Sequence, residues 1–395
     1  MFNDYGRYAE LLAQSQDVWS STMTSIDSQP SHKDGRTPSL VSLVGQTGAG
    51  KSSLIKLMID LNSTQDQKFC SPVVGASGET DPTSENVHLY ADPVTTISDN
   101  PIFFADCEGL QGGEREPLGA RFRRNRKKMR NPEPTPLPVS ERKLEWAEEK
   151  SHSSREYAVT HLYPRLLYTF SDVIVFVLRN PRVVENVLEQ LVSWAAAALE
   201  TSSNQPILPH AIIVLNASEN DIDESEWDLD NATTKILESL SRIVFKNTVF
   251  KKYAQFWRER RKQIETVEQL MLSYYSSIRV QAASGAADAM CEQARQRKAD
   301  LRMLLDAEEL QSYLQCAFDH FAISLDKPFD FVEASFSNSP IPLDFGGNIL
   351  KLAIKLMNVW ENQADIQFLL QELSYMVSSC IMLDSARQKV RGKRH

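Results

Sequence analysis

Gly45-Gln46-Thr47-Gly48-Ala49-Gly50-Lys51-Ser52 places three glycines, a lysine and a hydroxyl residue within eight positions. The spacing G-x-x-x-x-G-K-[ST] suits one chemistry, the cradling of a phosphate chain. Glycines let the backbone wrap an anion, so that successive N–H groups and a helix N-terminus face it. Lys51 is expected to reach the β- and γ-phosphates, and the hydroxyl of Ser52, followed by Ser53, to ligate Mg²⁺. The plain alternative is a glycine-rich turn that matches by accident. The flanks argue against it: Ser39-Leu40-Val41-Ser42-Leu43-Val44 reads as a short apolar strand, and Ser53 to Ile59 as the first turns of a helix. Strand, loop, helix is the context this motif needs, and the expectation is a bound nucleoside triphosphate.

Three further positions bear on that chemistry. Phe103-Phe104-Ala105-Asp106-Cys107-Glu108-Gly109-Leu110 is an apolar run ending in D-x-x-G, 55 residues after Lys51. Asp106 there would hold Mg²⁺ through water, and the Gly109 N–H could sense the γ-phosphate; an Asp that merely ends a strand in a turn is the other reading. Between the two motifs, a switch threonine is expected to complete the metal shell. Thr83, just before the Val87 run, is the choice, with Thr80 its competitor and an ordinary loop threonine the bland option. After the apolar run at Ile212–Leu215 comes Asn216-Ala217-Ser218-Glu219, where G domains carry N-K-x-D. Glu219 could read the guanine edge while Asn216 braces the loop. Ala217 removes the lysine that lies over the base, and a helix cap is an alternative use of the same residues. Guanine is favoured over adenine, with an ATPase kept as a rival.

With these motifs in order, the chain resembles the P-loop GTPases, on their dynamin-like and guanylate-binding-protein side. D-x-E-G-L at Asp106–Leu110 is similar to the guanylate-binding-protein switch II. G-x-T-G-x-G-K-S-S at Gly45–Ser53 is closer to the loop of immunity-related and septin/AIG-type GTPases. The Asp172–Pro181 segment followed by Asn216–Glu219 resembles large GTPase-like proteins of fungi. The resemblance covers residues 38–283 and implies GTP and Mg²⁺ as cofactors, hydrolysis at the γ-phosphate, and a homodimer through the G domain. Small Ras-type members carry a glutamine directly after D-x-x-G; here Leu110 stands there, so intrinsic hydrolysis is expected to be slow. Gln46 and Arg115 are the candidates for activating water or neutralising transition-state charge, with Arg179 and Arg182 behind them, and the catalytic machinery stays unassigned. A nucleotide-binding scaffold with negligible turnover is the principal rival.

The elements needed to position these residues are legible as alternating strands and helices. Strand patterns recur at Asn86–Ala91, Pro101–Asp106, Asp172–Leu178, Ala211–Leu215 and Ser277–Ala282. Helical patterns run from Pro181 to Leu199 and from Ala232 to Phe245. The fold class expected is α/β, a P-loop NTPase (G domain) whose mostly parallel sheet is sandwiched by helices, with the site at the strands' carboxyl ends. The domains expected are an N-terminal helix and linker at 1–37, a GTPase domain at 38–283 and an α-helical domain at 284–395. Residues 110–150 read as an insertion beside switch II, basic and then proline-rich, with four prolines in 131–138.

Bulk properties narrow the class. At 395 residues more than one compact unit is expected, and a net charge of −9 argues against a general nucleic-acid binder. Five scattered cysteines without a C-x-x-C pair read as reduced thiols of a cytoplasmic or nuclear protein. No leader, membrane span or zinc-ligand cluster is read. Arg121–Arg130 holds seven basic residues in ten, as a solvated loop, a site for an anionic partner or a nuclear signal. In the tail, Ile349, Leu350, Leu352, Ile354, Leu356, Met357, Val359 and Trp360 leave only a narrow polar stripe, so that surface is expected to be buried in a bundle. Insertion into a membrane surface or a protein partner's groove are the other readings.

Overall fold

The computed structural model describes residues 1–22, 35–63, 69–74, 86–110, 138–180, 183–199, 207–216, 229–281, 286–301 and 303–338, with scattered positions between 351 and 382. Labelled in chain order, the strands are β1 (Phe2–Asp4), β2 (Ser39–Gly45), β3 (Val87–Ala91), β4 (Ile102–Cys107), β5 (Ser140–Arg142), β6 (Val173–Leu178), β7 (His210–Leu215) and β8 (Ile278–Gln281). The principal helices are α1 (Arg7–Thr22), α2 (Lys51–Asn62), α3 (Tyr163–Phe170), α4 (Val184–Leu199), α5 (Leu229–Leu240), α6 (Thr248–Glu259), α7 (Val267–Met271), α8 (Ala286–Asp300), α9 (Ala307–Ile323) and α10 (Phe331–Asn338).

Six strands form one sheet in the order β3-β4-β2-β6-β7-β8. Every pairing in it is parallel except that of β3 with β4, which is antiparallel. The fold is therefore α/β with a mostly parallel sheet, as expected. β2 lies inside the sheet, with Val41 opposite Phe104 on one side and Val173 on the other. Chain connections leave β2 in one direction and return to its other side at β6. That reversal opens a crevice at the strands' carboxyl ends.

Both faces of the sheet are covered, which is why β2, β4, β6 and β7 read as nearly continuous apolar runs. Side chains of β6 alternate: Val173, Val175 and Val177 pack with Ile55 and Ile59 of α2 and with Met290 and Cys291 of α8. Ile174, Phe176 and Leu178 face the other layer, built from α3, α4, α6 and α7. Each fully buried aliphatic side chain contributes about 1.5–3 kcal/mol. Buried tyrosines in that layer keep their hydroxyls bonded: Tyr168 to the Tyr274 carbonyl and Tyr275 to the Leu191 carbonyl at 2.9 Å. Before α3, the helix widens to a π turn at Ala158–Leu162. Pro164 comes two residues after that turn; it lacks an N–H and its ring crowds the carbonyl four residues back, so a widened turn is the expected accommodation.

Two compact units divide the chain, Met1–Phe329 and Asp330–His395. The first runs on past residue 283, because α8 packs on β2, β6 and β7 and Lys298 Nζ lies 2.5 Å from the buried Asp172 carboxylate. It also contains a small two-stranded sheet not anticipated from sequence, in which β1 pairs antiparallel with β5. Around it, Gln315 Nε2 donates to Asp4 at 2.8 Å, Arg142 bonds Asp319 and Gln315, and Phe2 packs on Phe318 at 4.9 Å. In the second unit, Leu352 and Ile354 are 42% and 49% exposed rather than buried. A helix apolar around most of its circumference carries more surface than one neighbour can cover. The rest of that apolar face and the 121–130 basic run lie outside the described residues.

Candidate functional site

The glycine-rich loop joins the carboxyl end of β2 to the start of α2. Gly45, Gly48 and Gly50 all take positive φ, at 141°, 75° and 96°, a region side-chain-bearing residues rarely adopt. Gly50 is the helix N-cap and supplies no side-chain cap, so the first-turn N–H groups of α2 have no side-chain acceptor from it. Lys51 and Ser52 are both buried, at 6% and 7% exposure. The lysine folds over its own loop, donating to the carbonyls of Gly45 at 3.1 Å and Gln46 at 3.0 Å. Burial lowers the Lys51 pKa, opposed by the nearby Asp106, Cys107 and Glu108.

The end of β4 lies against this loop. Ser52 Oγ donates to Asp106 Oδ2 at 2.8 Å, so the two residues expected to share a metal are adjacent. Gln46 and Leu110 form a parallel bridge, closed by Leu110 N to Gly45 O at 3.0 Å and Thr47 N to Leu110 O at 3.1 Å. Gly109 sits so close to Thr47 that an added Cβ would fall 2.5 Å from its Cα. Leu110 itself is a core residue, buried beside Val44 and Leu167. Its apolar character is thus explained by packing.

From the end of β7, Asn216 reaches back to the loop. Its Nδ2 donates to the Ala49 carbonyl at 2.9 Å, and a Cβ on Gly50 would come within 2.4 Å of that nitrogen. Asn216 therefore braces the glycine-rich loop. Gln46 is exposed at the loop's rim and Ser53 is exposed on α2. Thr83, Arg115 and Glu219 lie outside the described residues.

Four residues given no role from sequence, Glu108, Arg155, Asn86 and Tyr163, complete the surroundings. Glu108 is 3% exposed at its side chain and is gripped by Arg155, whose Nε and Nη2 approach its carboxylate at 2.7 to 3.0 Å. Asn86, with φ 68°, donates its backbone N–H to Glu108 at 3.2 Å and accepts the Tyr163 hydroxyl at 3.3 Å. No local pattern in the sequence announces this cluster, since its members are 22 and 47 residues from Glu108 or farther. Among the described residues no group of three or more His, Cys, Asp or Glu side chains is placed to hold a metal, and no helix is long and apolar enough to cross a membrane. Cys70, Cys107 and Cys291 are free thiols.

The residues present fit a phosphate chain with a hard cation. Glycines allow close approach of backbone, a lysine stands over the loop, and a hydroxyl and a carboxylate lie side by side. Comparison with known proteins identifies no family: no family model matches the chain, and no curated protein matches it.

Proposed function

We propose that this chain binds GTP with Mg²⁺ through a P-loop G domain and couples the bound state to assembly or to a protein partner, with slow hydrolysis at the γ-phosphate. The observation carrying the proposal is the convergence of the Gly45–Ser52 loop, Asp106 and Asn216 at the carboxyl ends of β2, β4 and β7. It lies where the strand order reverses, the favoured location for ligands in open α/β sheets. Glycines at 45, 48 and 50 wrap the phosphates, Lys51 balances their charge, and Asn216 holds the Ala49 carbonyl turned to the protein. Ser52 and Asp106 would hold Mg²⁺, which when bound supplies positive charge to the β- and γ-phosphate oxygens. Glu219 is proposed as the guanine reader, and Thr83 as the switch ligand.

A second reading is a nucleotide-binding scaffold with negligible turnover. It is favoured by Leu110, whose side chain is spent in the core, and by Glu108, whose carboxylate is held by Arg155. Gln46 and Arg115 remain the proposed candidates for assisting hydrolysis. Calorimetric titration with non-hydrolysable GTP and ATP analogues plus Mg²⁺ tests the first reading. The expected result is preference for the GTP analogue, lost in Lys51→Ala. Absence of binding to either analogue would sink both readings; equal binding would mean a decayed base loop and favour the scaffold, and preference for the ATP analogue would leave an ATPase. Phosphate release over many turnovers then separates enzyme from scaffold.

A further inference from the structure

We infer that the surface formed by residues 241–262 docks onto an anionic lipid membrane. Between Ser241 and Lys262 the sequence carries eight basic residues and one acidic residue, in a chain of net charge −9. All eight are exposed, and among the described residues none is held in an ion pair. Lys251 and Arg258 fall seven positions apart on one face of α6, and the other lysines flank them.

Aromatic side chains are interleaved with these cations. Arg260 lies 3.6 Å from the Phe256 ring centre, Lys262 lies 4.1 Å from Trp257, and Arg258 lies 5.5 Å from Phe245. The backbone fixes this arrangement. Arg258 Nε is pinned to the Ile264 carbonyl at 3.0 Å, and Arg261, at φ 65°, turns the chain so that Lys262 N bonds the Trp257 carbonyl at 3.1 Å. Phe245 is 52% exposed among the cations.

Cations beside half-buried aromatic side chains and the exposed Phe245 match the two demands of a lipid interface, charge toward headgroups and apolar surface toward acyl chains. A single-stranded nucleic acid would instead need open ring faces for its bases. Here the rings of Phe256 and Trp257 already have cations over them. The inference is independent of the nucleotide reading.

Co-sedimentation of the full chain with phosphatidylcholine vesicles, with and without phosphatidylserine, tests it. Binding is expected only with phosphatidylserine and should weaken as salt rises. The triple variant Lys251→Glu/Lys252→Glu/Lys262→Glu should bind roughly tenfold more weakly or worse. Phe245→Ser should weaken binding while leaving its salt dependence in place. Thermal melts establish that the variants fold, and Lys251→Gln/Lys252→Gln stands in if charge reversal unfolds the chain. The 121–130 basic run is unchanged in all of them. No sedimentation with phosphatidylserine, equal binding by the folded variants, or binding to a single-stranded RNA oligonucleotide without binding to vesicles would each overturn the inference.

Discussion

Gly45 and Gly48 both take positive φ, yet what surrounds them differs. A Cβ on Gly45 would sit 2.2 Å from the Val177 carbonyl oxygen, whereas one on Gly48 would meet nothing within 4 Å. Gly48→Ala should therefore cost only the left-handed conformation, about 1–2 kcal/mol. Gly45→Ala adds a backbone clash inside the β2–β6 pairing and should cost about 3 kcal/mol or more. Urea unfolding of the two variants checks the order, and equal losses would contradict it. The glycines were legible because their spacing is local. Val177 was not, since a neighbour across a parallel sheet leaves no trace in spacing. Asn216 falls between the two cases: its place after a strand marked it as a loop residue, while its acceptor, the Ala49 carbonyl 167 positions away, was not readable.

At the scale of elements, the helical segment beginning at Arg155 is tied to the end of β4 by one buried ion pair. Removing one member of such a pair strands a charge that water no longer reaches. Arg155→Ala should destabilise by about 2–4 kcal/mol, less than a fully buried pair because Arg155 is 33% exposed. Glu108→Gln/Arg155→Met should recover much of that loss, since no charge is left uncompensated. Denaturant midpoints of single and double variants decide this, and an additive double variant would show the pair is not coupled. The strands buried on both faces were readable from their apolar runs. The antiparallel sense of β3 was not, because alternation of side chains is the same in either direction. β1 and β5 went unseen for another reason: each is three residues long and carries polar side chains.

Over the whole molecule, stability should fall on mild acidification. Burial lowers the pKa of His88, His161 and His210 below the ordinary 6.5. In each case the unfolded chain binds a proton more readily than the folded one. Stability is therefore complete above about pH 6.5 and is lost as pH falls from there through the folded-state values. Melting temperatures recorded from about pH 8 to about pH 5 should show this limb, and His88→Gln/His210→Gln should flatten it. An unchanged slope in that variant would place the titration elsewhere.

The clasp formed by β1, β5 and α9 has a consequence for the order in which the molecule is made. Residues 2–4 are synthesised long before their partners at 140–142 and 315–319. Closing so long a loop earns few contacts until both partners are present. During synthesis the first strand therefore waits unpaired while the central sheet assembles, and its docking belongs among the last events of folding.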